Sequence, residues 1–460
     1  MLPDAVGDAA LLDSATRAHT RIVLLFSLAG RIDPGHGTRT RPDSLVDGYD
    51  FGRFAPHLLT SEAVLPVPVL SEHPAPAALA LPGGDAHPAL AAVRILLVTT
   101  PRGDATLLLD CEFTDRTEPA ALAAWLAATC FDRERITLHD RPLLTVLGER
   151  LALPEPLAFG QNVHQLVFPG GPLLDGLLTA ARGGDPQRLA GPLGEIIYRG
   201  RLRAATAPPP NLHHHGVTLS AHGRGVSVQA GWAPHVENGL MLVALGLVSA
   251  LAALQRTRLA AFAMMRANEQ APVDSPTEVR ALISRLSAGV NELQLDLAFG
   301  VEAYVDSLLV PEMLMEGFQT SLGDALGIRA CLDNSARMVE RLTSVINARS
   351  AALDAALAER DERRDRTVSA LVAAATLIAL PPTLLLAFFG VNGTDVDEGR
   401  SILDLEAYGP AYALAWLPFV ALAAVGYALL RRAGRRSGAL LTPPDEARLP
   451  VPGPRPPSGS

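Results

Sequence analysis

The chain reads as an α/β (or α+β) N-terminal cytoplasmic domain, a long α-helical stalk and two C-terminal transmembrane helices. Three observations predict this. Apolar runs of strand length alternate with Ala- and Leu-rich helical stretches up to about residue 232. Residues 328–380 contain neither Gly nor Pro. Residues 367–389 and 411–430 carry no charged side chain, and each run is long enough to cross a ~30 Å hydrocarbon core as a helix.

Composition sets the outer limits. The 460 residues have room for a sizeable soluble domain beside two spans, and 48% of them are hydrophobic. A formal net charge of −9 argues against nucleic acid as a partner, because phosphate recognition wants a basic face. Every basic side chain other than His is Arg, with no Lys. Cys111, Cys130 and Cys331 are few and far apart, which fits a reducing compartment and offers no metal or redox framework. The N-terminus does not read as a signal peptide, since Asp4, Asp8 and Asp13 precede only a short apolar run. No Walker loop, His-Glu-x-x-His or nucleophile elbow is present, so nothing points to an enzyme or calls for a cofactor.

Taken in order, residues 1–90 read as an irregular N-terminal region rich in Pro, Gly and His, with a first strand at 22–28. Residues 91–232 form the α/β domain. Within it, 92–99 and 105–113 are strands joined by the turn Pro101-Arg102-Gly103-Asp104. A helix is expected over 118–130, with Thr117 as its cap. A further strand is expected at 161–168, and a pair at 217–221 and 225–230 turns around His222-Gly223-Arg224. The run His213-His214-His215 follows three prolines and reads as a solvated loop, because three consecutive imidazoles cannot converge on one ion in regular structure.

Residues 233–320 read as a helical region flanking the stalk. Its stretch 239–254 is uncharged but short for a span, and it reads as a buried or oligomer-facing helix. After a break at 271–274, Ser275-Pro276-Thr277-Glu278 starts another helix. The stalk helix is expected over 321–366. Leu332, Val339, Ile346 and Leu353 recur there every seven residues, a seam for like helices or for packing within the chain.

Transmembrane helix 1 (367–389) and transmembrane helix 2 (411–430) enclose a loop, 390–410, expected to face outward. Arg360, Arg363, Arg364 and Arg366 precede the first span; Arg431, Arg432, Arg435 and Arg436 follow the second. The loop sets Arg400 against Asp395, Asp397, Glu398, Asp404 and Glu406. The positive-inside bias therefore makes both termini cytoplasmic in a multi-pass protein of the plasma (inner) membrane. Tyr408, Tyr412 and Tyr427 suit the interfacial belts. Residues 431–460 read as a basic and then disordered tail.

Ser369, Thr376, Thr383 and Gly390 also recur every seven residues along the first span. Such a stripe serves either close helix packing or a pore lining, where hydroxyls meet hydrated ions. Pro381-Pro382-Thr383, followed by Phe389-Gly390-Val391-Asn392, resembles the end of the pore helix in the CorA-like (two-transmembrane Gly-x-Asn) divalent-cation transporter family. That family's usual signature is Tyr-Gly-Met-Asn, and Gly-Val-Asn is closer to its zinc-transporting ZntB branch.

The resemblance implies a homopentamer that passes Mg2+, with Zn2+, Co2+ and Ni2+ as further cargo, across a lipid bilayer. Gly390, Val391 and Asn392 would form the selectivity motif, with Asn392 oxygens contacting the ion's water shell. Ser369, Val372, Thr376, Leu380 and Thr383 would line the pore, Val372 and Leu380 as its apolar constrictions. Asp395, Asp397 and Glu398 of the outer loop would concentrate cations at the mouth. The family's stalk carboxylate falls in register on Ala355, beside Asp354. Two rival readings remain open: a ZntB-like zinc transporter, and a non-transporting membrane-anchored sensor or scaffold.

Overall fold

The strand Thr20–Arg31 shows how the first part of the chain is built. Ile22, Leu24, Phe26 and Leu28 enter one hydrophobic core, whereas Val23 and Leu25 enter another. A strand that sends apolar side chains both ways must be covered on both faces.

The computed structural model describes residues 19–33, 45–60, 65–82, 90–113, 118–183, 186–200, 211–215, 218–270, 275–305, 310, 312–391, 399–401 and 404–438. The chain divides into two units, Met1–Ala351 and Ala352–Ser460. The first unit starts with β1 (Thr20–Arg31), the short helices α1 (Leu45–Gly48) and α2 (Ala55–Thr60), β2 (Val67–Glu72) and β3 (Leu79–Ala80). The hairpin β4 (Leu90–Thr99) and β5 (Asp104–Phe113) follows, then α3 (Pro119–Phe131), β6 (Thr137–Leu138), β7 (Arg141–Pro142) and α4 (Leu143–Arg150). Next come β8 (Ala158–Phe168), α5 (Gly171–Arg182), α6 (Pro186–Ile197), β9 (His213–His215), β10 (Thr218–His222) and β11 (Val226–Ala230). The helices α7 (Pro234–Gln270), α8 (Pro276–Leu297), α9 (Ala303–Val305) and α10 (Met313–Leu326) complete the first unit together with the start of α11 (Ile328–Val391). The remainder of α11 and α12 (Leu405–Gly438) belong to the second.

Eight strands form one mixed sheet in the order β2-β4-β5-β1-β8-β11-β10-β9. Its pairs are antiparallel except β8 with β11. Helices α3, α4, α5 and α6 cover one face through residues such as Trp125, Leu147, Leu177 and Ile196. The other face is covered by α7, over which lie Leu286 and Leu293 of α8, Phe318 of α10, and Val339, Leu342 and Ile346 of α11. The result is a sheet covered by helices on both faces. The turn between β4 and β5 closes at Gly103, whose φ of +86° suits a residue without a Cβ.

Several expectations are corrected. The described parts of residues 1–90 do not stand apart as an irregular region, because β1 lies inside the sheet between β5 and β8 and β2 forms its edge. The stalk helix starts at Ile328 rather than 321, since Gly327 ends α10 in the left-handed conformation. Val339 and Ile346 of the heptad seam are buried in the chain's own core, and Leu332 packs partly against it. That part of the seam is filled by α7, α8 and their neighbours. Thr117 lies outside the described residues; α3 starts instead at Glu118-Pro119. Helix α8 does start at Ser275-Pro276, with the Ser275 hydroxyl 2.7 Å from Thr277 Oγ1. The His213–His215 run is the edge strand β9, paired with β10, and not a loop.

Buried polar groups pin α7 to the sheet. Arg21 of β1 gives two hydrogen bonds to Asp110 of β5 (2.8 and 2.7 Å) and reaches Asn238 (2.8 Å) and Glu237 (3.4 Å) of α7. Burial opposes its charge, but Asp110 and then Glu237 outweigh that and hold the guanidinium pKa above its ordinary value. Thr106 and Ser249 share a buried 2.9 Å hydrogen bond. Farther along, Arg31, Arg102 and Arg256 converge on Asp296 of α8, itself 3% exposed. Each buried carboxylate in these clusters is thereby paired.

Candidate functional site

The candidate pore residues sit on α11. Its backbone is helical without interruption through Pro381 and Pro382. Neither proline has an N–H to offer, so the carbonyls of Leu377 and Ile378 lose their usual ladder donors. Thr383 fills the adjacent place: its hydroxyl donates to Ala379 O (2.8 Å) and Leu380 O (2.9 Å). Thr376 donates to Val372 O at 2.9 Å in the same way. A hydroxyl whose proton is held by its own helix keeps its oxygen lone pairs free to accept. Waters around a cation point their hydrogens outward, so such acceptors match a hydrated ion.

Ser369, Val372, Thr376, Leu380 and Thr383 are separated by three or four residues and so lie along one stripe. All are exposed, Val372 at 60% and Leu380 at 41%. The remaining faces are bare as well: Val368, Leu371, Ile378 and Leu384 are each more than half exposed. In α12 the same holds for Leu417, Val420, Leu422, Val425 and Tyr427. Before the uncharged run, Arg363 pairs with Glu359 and Arg366 with Glu362, one helical turn apart on an exposed surface.

Gly390 and Val391 are the last residues of α11 rather than the start of a loop. Asn392, Asp395, Asp397 and Glu398 lie outside the described residues. Asp404 is described and accepts from the backbone N–H of Glu406 at 3.1 Å. Helix α12 runs through Gly409-Pro410 and Pro418 and continues to Gly438, past the expected end at 430. Among the described residues no group of three or more His, Cys, Asp or Glu could hold a metal ion.

In the first unit, the covered stretch of α7 has the hydropathy of a membrane span. Its apolar window has mean hydropathy 1.8, yet 89% of it is buried within the protein. Among the described residues it is the one helix long and apolar enough to cross a membrane.

A polar strip crosses the far end of the sheet. His164 Nε2 lies 2.9 Å from Ser227 Oγ, which is 3.3 Å from His222 Nδ1; His222 Nε2 is 3.2 Å from Ser220 Oγ. Burial pushes the pKa of His164 down to about 3 and that of His222 down to about 4. Both imidazoles are therefore neutral near pH 7. Above them, β9, β10 and α10 enclose a cavity of about 620 Å³ bordered by His213, His222, Gln229, Trp232 and Phe318. No carboxylate hydrogen-bonds either buried imidazole among the described residues, so the strip lacks the orienting acid of a nucleophile–base arrangement.

No family model matches this chain, and no curated protein or solved structure matches it either. Functional weight therefore rests on the residues themselves. Sequence reading missed the buried arginine clusters, although one signal was present: Arg21 sits beside an otherwise apolar strand, and such a charge requires a partner.

Proposed function

We propose that this chain is a membrane protein passing hydrated divalent cations through a homo-oligomeric pore, in the manner of the CorA-like family that residues 381–392 resemble. The observation that carries the reading is the bare uncharged run of α11. A monomeric water-soluble protein rarely exposes a contiguous apolar surface beyond a few hundred Å². A helix apolar on all sides needs lipid or other helices around it. The hydroxyl stripe then has a use on the oligomer side, where Thr376 and Thr383 offer acceptors to the ion's water shell. Basic flanks and an acidic connection put both termini in the cytoplasm.

In this reading Asn392 is the first selective contact, and its neutrality lets it bind the water shell without trapping the ion. Magnesium is the primary cargo, with zinc, cobalt and nickel compared beside it. The burial of Val339 and Ile346 shifts the contacts between subunits toward the spans and the exposed part of α11 beyond residue 351.

The test is ion flux into liposomes holding the purified protein. The parent should pass Mg2+, and Asn392→Ala should cut the flux at least tenfold while native mass still reports the oligomer. Asn392→Asp should give slow, pH-dependent permeation, because a ring of carboxylates holds a divalent ion too tightly. No flux of any of the four ions in the parent would leave the membrane-anchored sensor.

A further inference from the structure

A second cavity opens beside the polar strip and has no place in the transport reading. It lies where the end of α3, the strand β8, the residues after α6, the β10–β11 turn and α7 meet, and measures about 460 Å³. A neighbouring cavity of about 330 Å³ shares Gln161, Asn162, Arg224 and Leu251 with it and extends along α7. Together they fall in the size range of small-molecule sites.

The charge of this groove sets it apart. Arg133, Arg199 and Arg224 line the first cavity and Arg258 the second, and among the described residues no Asp or Glu lines either. Several arginines elsewhere in the domain find carboxylates: Arg21 has Asp110, Arg102 has Glu292, Arg256 has Asp104 and Arg150 has Glu72. Among the described residues the four groove arginines have no such partner.

Arg199 is the most telling of them. Its guanidinium is half-buried and is met by neutral acceptors, Gln165 Oε1 at 2.8 Å and Gly225 O at 2.7 Å. Gln165 is itself fixed, donating to Leu126 O and Thr129 Oγ1 at 2.9 Å each. The Arg199 backbone has φ of +54°, a left-handed conformation that costs a residue with a Cβ. Burial lowers its pKa from the ordinary value by more than the neighbouring Cys130 raises it. A prearranged, partly desolvated cation of this kind can accept an anion at low reorganisation cost.

Guanidinium groups favour the planar or tetrahedral oxygens of carboxylate and phosphate. The α7 side of the groove adds apolar surface, from Leu251, Leu259 and Phe262, which suits a flat organic group. We propose that this groove binds a nucleoside phosphate, its phosphate on Arg199 and Arg224 and its base against Leu259 and Phe262.

The experiment is calorimetric titration of the full chain, purified in detergent, in metal-free buffer so that cation transport contributes no heat. ATP, AMP, adenosine and inorganic phosphate are the probes. ATP and AMP should bind at one site per chain, and adenosine and inorganic phosphate at least tenfold more weakly. Arg224→Gln and Arg258→Gln alter exposed side chains, and each should weaken ATP by about tenfold, the worth of one charge-assisted contact. Arg199 stays in place, because its hydrogen bonds also tie β8 to the β10–β11 turn. The proposal is overturned by no binding of either nucleotide at about 1 mM, or by equal affinity in an R224Q/R258Q double variant. Inorganic phosphate binding as tightly as AMP would overturn it too, by leaving the apolar side without a role. Failure here leaves the flux experiment untouched.

Discussion

The apolar middle of α7 and the uncharged run of α11 draw on the same side chains, chiefly Ala, Leu and Val, and differ in what surrounds them. Leu240 to Leu245 of α7 are at most 1% exposed, with the sheet on one side and α8, α10 and α11 on the other. Val368, Leu371, Val372 and Ile378 of α11 stand more than half exposed. Each fully buried Leu or Val in α7 stabilises the domain by roughly 1.5–3 kcal/mol. The same residues in α11 contribute nothing until something covers them. Both stretches are uncharged and apolar in sequence, and the partners decide which one is a core.

The largest effect should come from placing one charge on each helix. Leu245→Arg puts an unpaired cation among buried side chains at a cost of several kcal/mol, comparable with the whole stability of a domain. Chemical denaturation should show the α/β domain unfolded or nearly so. Leu371→Arg should leave its urea midpoint in place and reduce membrane insertion instead. Equal loss of domain stability from both would erase the distinction.

Next is Arg21→Ala, which strands Asp110 and Glu237 without their cation at the β1–α7 junction. A loss of about 3–5 kcal/mol is expected, read from the denaturant midpoint. Arg363→Ala, in an exposed pair on α11, should leave that midpoint unmoved.

A smaller effect follows from the buried imidazoles, which have no counterpart among the described residues of the second unit. The unfolded chain takes up protons on His164 and His222 near pH 6.5, whereas the folded domain resists until about pH 3 and about pH 4. Their contribution is thus fully present above 6.5 and is lost as pH falls through 4. The urea midpoint should decline over that window, and His222→Asn should flatten part of the slope. An unchanged slope in the variant would place the acid sensitivity elsewhere.

The mildest perturbation reads topology alone. In a background with the three native cysteines replaced, Ser401→Cys should react with an impermeant thiol reagent added outside intact cells. Ser437→Cys should not. The reverse pattern would invert the proposed orientation.

Much of the α/β domain was legible in its residues. The hairpin at β4 and β5 follows from two apolar runs around Pro101-Arg102-Gly103-Asp104, and α3 from an Ala- and Leu-rich stretch that starts at Pro119. Strand β1 gave its place away less readily, because Pro and Gly on either side of it suggested irregular chain. Its central position depends on pairing with β5 and β8, both distant in sequence. The heptad of Leu332, Val339 and Ile346 was legible as a seam, but a periodic pattern says that a face is covered and not by which helix. The groove arginines carried no local signal, for Arg133, Arg199, Arg224 and Arg258 come from four separate segments.

The sequence by itself determined the helices and strands whose signal is local: the unbroken α11, the uncharged runs, the asymmetry of arginine around them and the Gly-Val-Asn at the end of the first. Only the tertiary structure decided which apolar helix is a core, which arginines meet carboxylates and which meet neutral acceptors instead. The physical reason is that period, charge and the absence of Gly or Pro act over a few residues of one chain segment. Burial and charge compensation are sums over neighbours brought together by folding, and no single segment contains them.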